Sequence, residues 1–141
     1  MPPRSPGGDR SVSHDEALTL WDRAVKSLAA ARVSLAVDPN SAASRAYYAA
    51  FQAVSAHFVL ADRSFTSHKA LRSAVHHDLV RAGAWSEEMG LKFNRLAERR
   101  HIGDYGSFTS IEPEEARAAI DSAHDILRSV CDMNSKIFFL D

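Results

Sequence analysis

An arginine lies on the apolar line of a predicted helix in this 141-residue chain. Met89, Phe93 and Leu96 recur at three- and four-residue steps. The next position on that line is Arg100. A guanidinium there is costly if it is dry and unpaired, so we expect it to be paired or to face a wet cleft. Asp104 follows at the four-residue spacing at which side chains of one helix meet, which predicts an ion pair or a polar cleft.

Arg100 belongs to a local patch of basic residues that contains a single acidic residue, Glu98. The chain as a whole has a net charge of −1, so a polyanion would not be attracted to its surface in general. Cations near the end of a helix are also favoured by the helix dipole, which is the purely structural alternative. The patch consists of Lys92, Arg95, Arg99, Arg100 and His101.

Two adjacent tyrosines on another predicted helix form a second polar feature. Tyr47 and Tyr48 point about 100° apart, so one can be buried while the other lies beside a polar cleft. Arg45 is one turn from Tyr48 and shares its face. A buried tyrosine that hydrogen-bonds Asp104 would explain the pattern without any chemistry. Arg45 and Tyr48 are therefore candidate binding residues with a structural alternative.

The seven histidines do not predict a metal site. His76 and His77 are adjacent and face different directions on a helix. His57, His68 and His124 lack a histidine or carboxylate partner at a suitable spacing. His68 and Lys69 open a predicted helix, where the lysine could reach a phosphate or an acidic partner, or simply be solvated. We find no glycine-rich phosphate loop and no GxSxG motif. We therefore predict neither a metal nor a cofactor.

Helices must position all of these residues, because apolar residues recur with helical spacing and no stretch alternates with period two. Ser13 and Glu16 have the spacing of a capping box, which predicts the first helix start. The short links predict antiparallel neighbours, and hence an all-α, up-and-down bundle of four to five helices. The predicted helices run from Ser13 to the Asp38-Pro39 break, over 41–61, over 67–82 to a stop at Gly83, from Ser86, and from Pro113.

The composition divides the chain into three parts. Residues 1–12 are rich in proline and glycine and predict a disordered leader, residues 13–131 form the bundle, and residues 132–141 form a tail. The apolar run Ile137–Leu140 could pack on the bundle, cover a partner or be disordered, and packing is the favoured interpretation. Cys131 is the only cysteine, which indicates a reducing, cytoplasmic environment. No apolar run approaches the ~20 residues of a membrane span.

Three segments in this order resemble the HEPN domain, and more closely its small stand-alone bacterial and archaeal branch. They are 44–51 (SRAYYAAF), 67–69 (SHK) and Arg100-x-x-x-Asp104-Tyr105, and the resemblance covers residues from about 15 to 130. It implies a helical bundle that forms a two-fold dimer. Many such proteins are metal-independent ribonucleases, often toxins, that are encoded beside a nucleotidyltransferase antitoxin.

The active motif of the family is an arginine followed four to six residues later by a histidine. The resemblance implies that Arg100 would stabilise the phosphorane charge and that Asp104 and Tyr105 would complete the catalytic group. Tyr105 occupies the position five along, and a tyrosine with a pKa near 10 is a poor base. Starting instead at Arg95 places His101 six along, which is the less favoured alignment. In related toxins a nearby tyrosine is adenylylated, and Tyr105 is the candidate here.

Two functions remain open from the sequence. The first is a dimeric module that binds RNA or nucleotide at Arg100, Asp104 and Tyr105, and that could be a ribonuclease toxin. The second is a non-catalytic partner of a nucleotidyltransferase, in which Arg100 and Asp104 form a structural ion pair. The candidate binding residues are Arg45, Tyr48, Lys69 and Arg99.

Overall fold

The computed structural model describes the backbone of residues 6–105 and 110–141, and the side chains of residues 12–102 and 110–141. Within these ranges there is no strand, and the predicted all-α bundle is confirmed. Among the helices described, none combines the length and the apolar composition that a membrane span requires. The helices are α1 (Pro6–Ser34), α2 (Pro39–Val59), α3 (His68–Ala74), α4 (Glu87–Tyr105) and α5 (Pro113–Met133), and a π-helical turn (Val75–Val80) continues α3.

Helix α2 lies at the centre of the bundle, in contact with α1, α4 and α5. It begins at Pro39, two residues before the predicted start at 41. The Asp38 side chain accepts a hydrogen bond from the Asn40 N–H, and Pro39 occupies the first turn. Seven of its alanines are completely buried, and their small side chains let neighbouring helices approach closely. These are Ala42, Ala43, Ala46, Ala49, Ala50, Ala53 and Ala56.

Helix α1 begins earlier than the sequence predicts. It starts at Pro6, which is well suited to a first helical turn because its missing N–H needs no partner there. The predicted capping box is therefore wrong, since Ser13 lies inside the helix. Its buried hydroxyl donates instead to the Asp62 carboxylate in the link after α2. The predicted leader, residues 1–12, overlaps the helix from Pro6 onward.

The third predicted helix, 67–82, divides into α3 and the π-helical turn. The Ser67 hydroxyl caps α3 by accepting from the Ala70 N–H. Beyond Ala74 the backbone hydrogen bonds span five residues instead of four. The Arg81 N–H, for example, donates to the His76 carbonyl at 2.9 Å. Gly83 follows with φ of +88°, so the predicted left-handed stop is confirmed.

The C-terminal tail packs on the bundle, which confirms the favoured interpretation. Phe138 is completely buried, and its ring stacks on Trp21 of α1 with the ring centroids 4.8 Å apart. The Trp21 indole N–H donates to the Phe139 carbonyl at 2.9 Å. The Cys131 thiol contacts the Phe138 carbonyl at 3.2 Å. The tail therefore joins α1 to the end of α5.

Candidate functional site

A histidine is held against the aromatic face of the central helix. His68, the first residue of α3, lies with its ring centroid 4.7 Å from that of Phe51 and 5.4 Å from that of Tyr47. Tyr47 is completely buried, and its hydroxyl oxygen is 2.5 Å from His68 Nδ1. Tyr48 is half-buried at the edge, 6.2 Å from His68 between ring centroids. One tyrosine is thus in the core and the other at its margin, as predicted.

Arg100 reaches the same place from α4. Phe93 and Leu96 below it on the apolar line are buried, and Arg100 itself is half-buried. Its Cζ lies 5.4 Å from the centroid of the Tyr47 ring, within the distance of a cation–π contact. The Tyr47–His68–Arg100 cluster therefore joins α2, α3 and α4.

The protonation of this cluster follows from burial and charge. Burial raises the pKa of Tyr47 to about 12, against the opposing effect of the positive charges of Arg100 and Arg72. Burial lowers the pKa of His68 from its ordinary 6.5, and Arg100 lowers it further. Near neutral pH, Tyr47 keeps its proton and His68 is uncharged. We assign the hydrogen bond as Tyr47 O–H donating to Nδ1, which leaves the imidazole proton on Nε2.

Two further cations flank His68 on α3. Lys69 and Arg72 are both exposed. Arg72 Nε donates to the Asn94 side-chain oxygen of α4 at 3.4 Å, a long hydrogen bond to a neutral partner. Arg72 is also close enough to act electrostatically on Tyr47. The surface over the cluster thus carries positive charge from both α3 and α4.

The predicted basic patch on α4 is divided between two helix faces. Lys92 Nζ lies 2.9 Å from Asp125 of α5, and Arg99 Nε lies 3.0 Å from Glu115. The hydrogen bond to Asp125 raises the pKa of Lys92. Partly exposed pairs of this kind contribute at most about 1 kcal/mol to stability. The pair with Glu115 nevertheless means that Arg99, a predicted binding residue, already contacts a carboxylate of α5.

The remaining predicted residues lie at the surface or beyond the described side chains. Arg45, Arg95 and His101 are exposed. The side chains of Asp104 and Tyr105 lie outside the described ranges, so the Arg100–Asp104 pair and the modification of Tyr105 stay predictions. Among the side chains that the structure describes, no group of three or more potential ligands could hold a metal ion.

The sequence places His68 at a helix start but does not connect it with Arg100. His68 meets the tyrosines through tertiary packing, and nothing in its local spacing to Tyr47 or Arg100 indicates that contact. The available signal was the serine before it, because an N-cap at Ser67 fixes the direction in which α3 starts.

The bundle matches a known family along most of its length. The family model described as HEPN domain matches residues 17–134. This chain belongs to the HEPN family. The match extends from α1 to just beyond α5, so it includes every helix of the cluster. The chain is also similar to the UPF0332 protein of Thermotoga maritima, with 34% identity over 91 residues that cover 64% of this chain and 69% of that protein. The resemblance inferred from the three segments is confirmed.

The lowered histidine pKa values predict a loss of stability on mild acidification. Burial lowers the pKa of both His68 and His57 below 6.5 in the folded state. The unfolded chain therefore binds more protons as the pH falls below 6.5, and stability present above that pH is lost. We expect the midpoint temperature of thermal unfolding to be lower at pH 5.5 than at pH 7.5. The His68→Asn variant, whose amide oxygen can still accept from Tyr47, should lose less over this range. An identical loss in both proteins would contradict this role for His68.

Proposed function

We propose that this HEPN protein binds the phosphate backbone of RNA at a surface centred on Arg100 and His68. The observation that carries the proposal is a half-buried guanidinium placed over the Tyr47 ring beside an uncharged imidazole. RNA and a nucleotide were both open from the sequence. The cations Lys69, Arg72 and Arg100 are distributed over two helices, which suits an extended strand better than a single small ligand.

The chemistry of each group supports phosphate binding. A guanidinium is planar and always charged, and it can donate two parallel hydrogen bonds to phosphate oxygens. His68 Nε2–H, in the assigned tautomer, is a further donor. Tyr48 and Phe51 are half-buried beside His68, and aromatic rings at such an edge can stack on bases with about 1–3 kcal/mol per base. These features together favour a single strand.

Metal-independent ribonuclease activity is a second proposal, and the position of His68 favours it. The sequence has no histidine at the family's motif position after Arg100, and α3 supplies an imidazole beside this arginine instead. To remove the proton from a ribose 2′-hydroxyl, Nε2 must first be free. This requires the tautomer that carries its proton on Nδ1, from which the Tyr47 oxygen would accept a hydrogen bond. The 2′-oxygen would then attack the phosphorus and the P–O5′ bond would break, with the proton taken up by Nε2 passing to the leaving 5′-oxygen. Arg100 would stabilise the charge on the phosphorane between these steps.

The non-catalytic alternative uses the same contacts as structural ones. In this proposal the cluster holds α2, α3 and α4 together, and a homodimer of the protein acts as the partner of a nucleotidyltransferase, with Tyr105 as the residue modified. The buried Tyr47 hydroxyl bonded to Nδ1 favours it, because the lowered pKa makes His68 a weak base. Failure of RNA binding, described next, would leave this alternative.

The expected result for Arg100→Ala is a loss of RNA affinity of at least tenfold, since a hydrogen bond to a charged group contributes about 1.5–3 kcal/mol. Binding of a labelled single-stranded RNA decamer is measured by fluorescence anisotropy at several salt concentrations. Losing one phosphate contact should also reduce the slope of log affinity against log salt by about 0.7. The matched control is Arg128→Ala, an exposed arginine on α5. Equal affinities for the two variants would overturn the proposal.

A cleavage assay on the same variants separates binding from catalysis. With EDTA present, a ribonuclease should lose cleavage in both Arg100→Ala and His68→Asn and keep it in Arg128→Ala. The same residual cleavage in the wild type and all three variants would indicate a contaminating nuclease and would refute the enzymatic proposal. RNA binding without cleavage would leave the binding function alone.

A further inference from the structure

A pocket of about 420 Å³ lies between α1, the second half of α2 and the link that follows α2. Its volume is within the range of about 300–1,000 Å³ that is typical of small-molecule sites. The apolar part of its wall comes from both helices and the link, and consists of Leu20, Phe51, Val59 and Phe65. Val59 is buried and the other three are half-buried, so these side chains offer an apolar surface to a small ligand.

The charged residues of the pocket all lie on α1, with opposite signs at its two ends. Asp15 and Glu16 are at one end, and Arg23 is about two helical turns further along. All three are exposed. Because an α-helix rises about 1.5 Å per residue, the acids and the arginine are about 10–12 Å apart along the helix axis. The pocket therefore has a negative end and a positive end.

Two contacts fix the register of α1 against α2. The Ser27 hydroxyl lies 2.7 Å from the side-chain amide of Gln52, and the Ser13 hydroxyl donates to the Asp62 carboxylate in the link after α2. The two helices are therefore antiparallel, so that rising numbers along α1 lie opposite falling numbers along α2. Between these contacts, Ser55 lies at the positive end of the pocket and the link lies at the negative end.

Ser55 is a buried polar residue in the wall of this pocket. It is 8% exposed, and its hydroxyl oxygen makes no hydrogen bond with any residue that the structure describes. A serine inside a helix can donate to the carbonyl four residues earlier, as Ser34 does to Ala30 at 2.8 Å, but Ser55 does not. Nearly all buried polar atoms in native proteins have a partner, so this hydroxyl indicates a ligand that hydrogen-bonds to it from the pocket.

We propose that the pocket binds a short peptide with both termini free and an apolar side chain in the middle. Its ammonium group pairs with Asp15 and Glu16, and its carboxylate accepts hydrogen bonds from the Arg23 guanidinium. An extended chain advances about 3.3–3.6 Å per residue, so about three residues span the distance between the two ends. A peptide bond supplies both a donor and an acceptor for the Ser55 hydroxyl. A simple amine or a simple carboxylate would match one end alone.

Calorimetric titration of the full chain with the tripeptide alanyl-phenylalanyl-alanine tests the proposal. The comparison peptides are its N-acetyl form, its C-terminal amide and alanyl-glycyl-alanine. They lack the ammonium charge, the carboxylate charge and the apolar side chain, respectively. We expect each of them to bind at least about fivefold more weakly than the tripeptide, because each loses one of the matched contacts.

Variants of the pocket show which end each terminus of the peptide occupies. Arg23→Gln should bind the tripeptide at least about fivefold more weakly, and should no longer distinguish it from its C-terminal amide. The combined change Asp15→Asn and Glu16→Gln should have the same effect with respect to the N-acetyl form. The matched control is Arg32→Gln, an exposed arginine of α1 outside the pocket wall, which should stay within about twofold of the wild type.

The Ser55→Ala variant separates ligand binding from a structural role of the hydroxyl. A hydroxyl without a partner does not stabilise the free protein, so the midpoint temperature of thermal unfolding should not fall. Binding of the tripeptide should weaken by about threefold or more, since the ligand loses a hydrogen bond. A lower midpoint temperature with unchanged affinity for the tripeptide would show that the hydroxyl serves the fold, and would contradict its place in the site.

Three other results would overturn the proposal. They are no binding of the tripeptide by the wild type, equal affinities for the tripeptide and either capped form, and the same loss of affinity in Arg23→Gln and Arg32→Gln. The wall of the pocket contains no residue of the Tyr47–His68–Arg100 cluster. Binding of RNA and binding of the peptide can therefore fail separately in these experiments.

Discussion

Replacing Phe138 with alanine should lower the free energy of unfolding by about 3–5 kcal/mol, the range for removing a buried phenylalanine side chain. Phe138 is completely buried and stacks on Trp21. Its removal would leave a cavity beside α1 and would take away an aromatic contact that itself contributes about 0.5–1.5 kcal/mol. Urea denaturation followed by circular dichroism measures the change.

The neighbouring residue offers a matched control for this prediction. Phe139 is 75% exposed, and it contributes to the tail contact through its backbone carbonyl, which Trp21 binds. Phe139→Ala keeps that carbonyl and should change the free energy of unfolding by less than about 0.5 kcal/mol. Similar losses for the two alanine variants would show that the tail does not pack through Phe138.

The second large effect is expected for Tyr47→Phe. This change removes only the hydroxyl that bonds His68 Nδ1, and a buried hydrogen-bonding atom left without its partner costs about 1–3 kcal/mol. We expect a loss of that size at pH 8, where the histidine is neutral. Tyr48→Phe is the control, because Tyr48 is half-buried at the edge of the same cluster, and it should cost less than about 0.5 kcal/mol.

A titration of His68 by NMR tests this prediction through the pKa of the imidazole, which a change in packing alone would not alter. A donor to Nδ1 stabilises the neutral imidazole, so its loss should raise the pKa of His68 in Tyr47→Phe relative to the wild type. Tyr48→Phe should leave that pKa unchanged. A lower pKa of His68 in Tyr47→Phe would show that the donor and acceptor are reversed, because a bond donated by Nδ1–H also stabilises the charged imidazole. An unchanged pKa would contradict the assigned hydrogen bond.

Much of the fold could be predicted because its signals are local. The Asp38-Pro39 break, the glycine stop at Gly83 and the apolar line through Phe93 each act through a few neighbouring residues, and the structure places α2, the end of the π-helical turn and α4 accordingly. The start of α1 was predicted wrongly for the complementary reason. Ser13 has the spacing of a cap but finds Asp62 across the fold.

One part of the site, Arg100, was predictable because it interrupts a regular sequence pattern, and the other part, His68, was not. Arg100 interrupts an apolar line, and the predicted inward position agrees with its contact with Tyr47. His68 interrupts nothing, since a polar residue at the start of a helix is ordinary, and its partner is on another helix. The π-helical turn likewise has no local signal here, because residues 75–80 read equally well as α-helix. Tertiary packing decides both features.

The packing of Trp21 under Phe138 also constrains when the protein can fold during its synthesis. The Trp21 indole donates to a carbonyl 118 positions later. At a translation rate of about 5–20 residues per second, that separation corresponds to on the order of ten seconds. Throughout that interval Phe138 has not yet been synthesised, so nothing stacks on Trp21 of the nascent α1 in the way that Phe138 does in the native fold. Chaperones therefore have a defined period in which to recognise this apolar face, and the native core closes only after it.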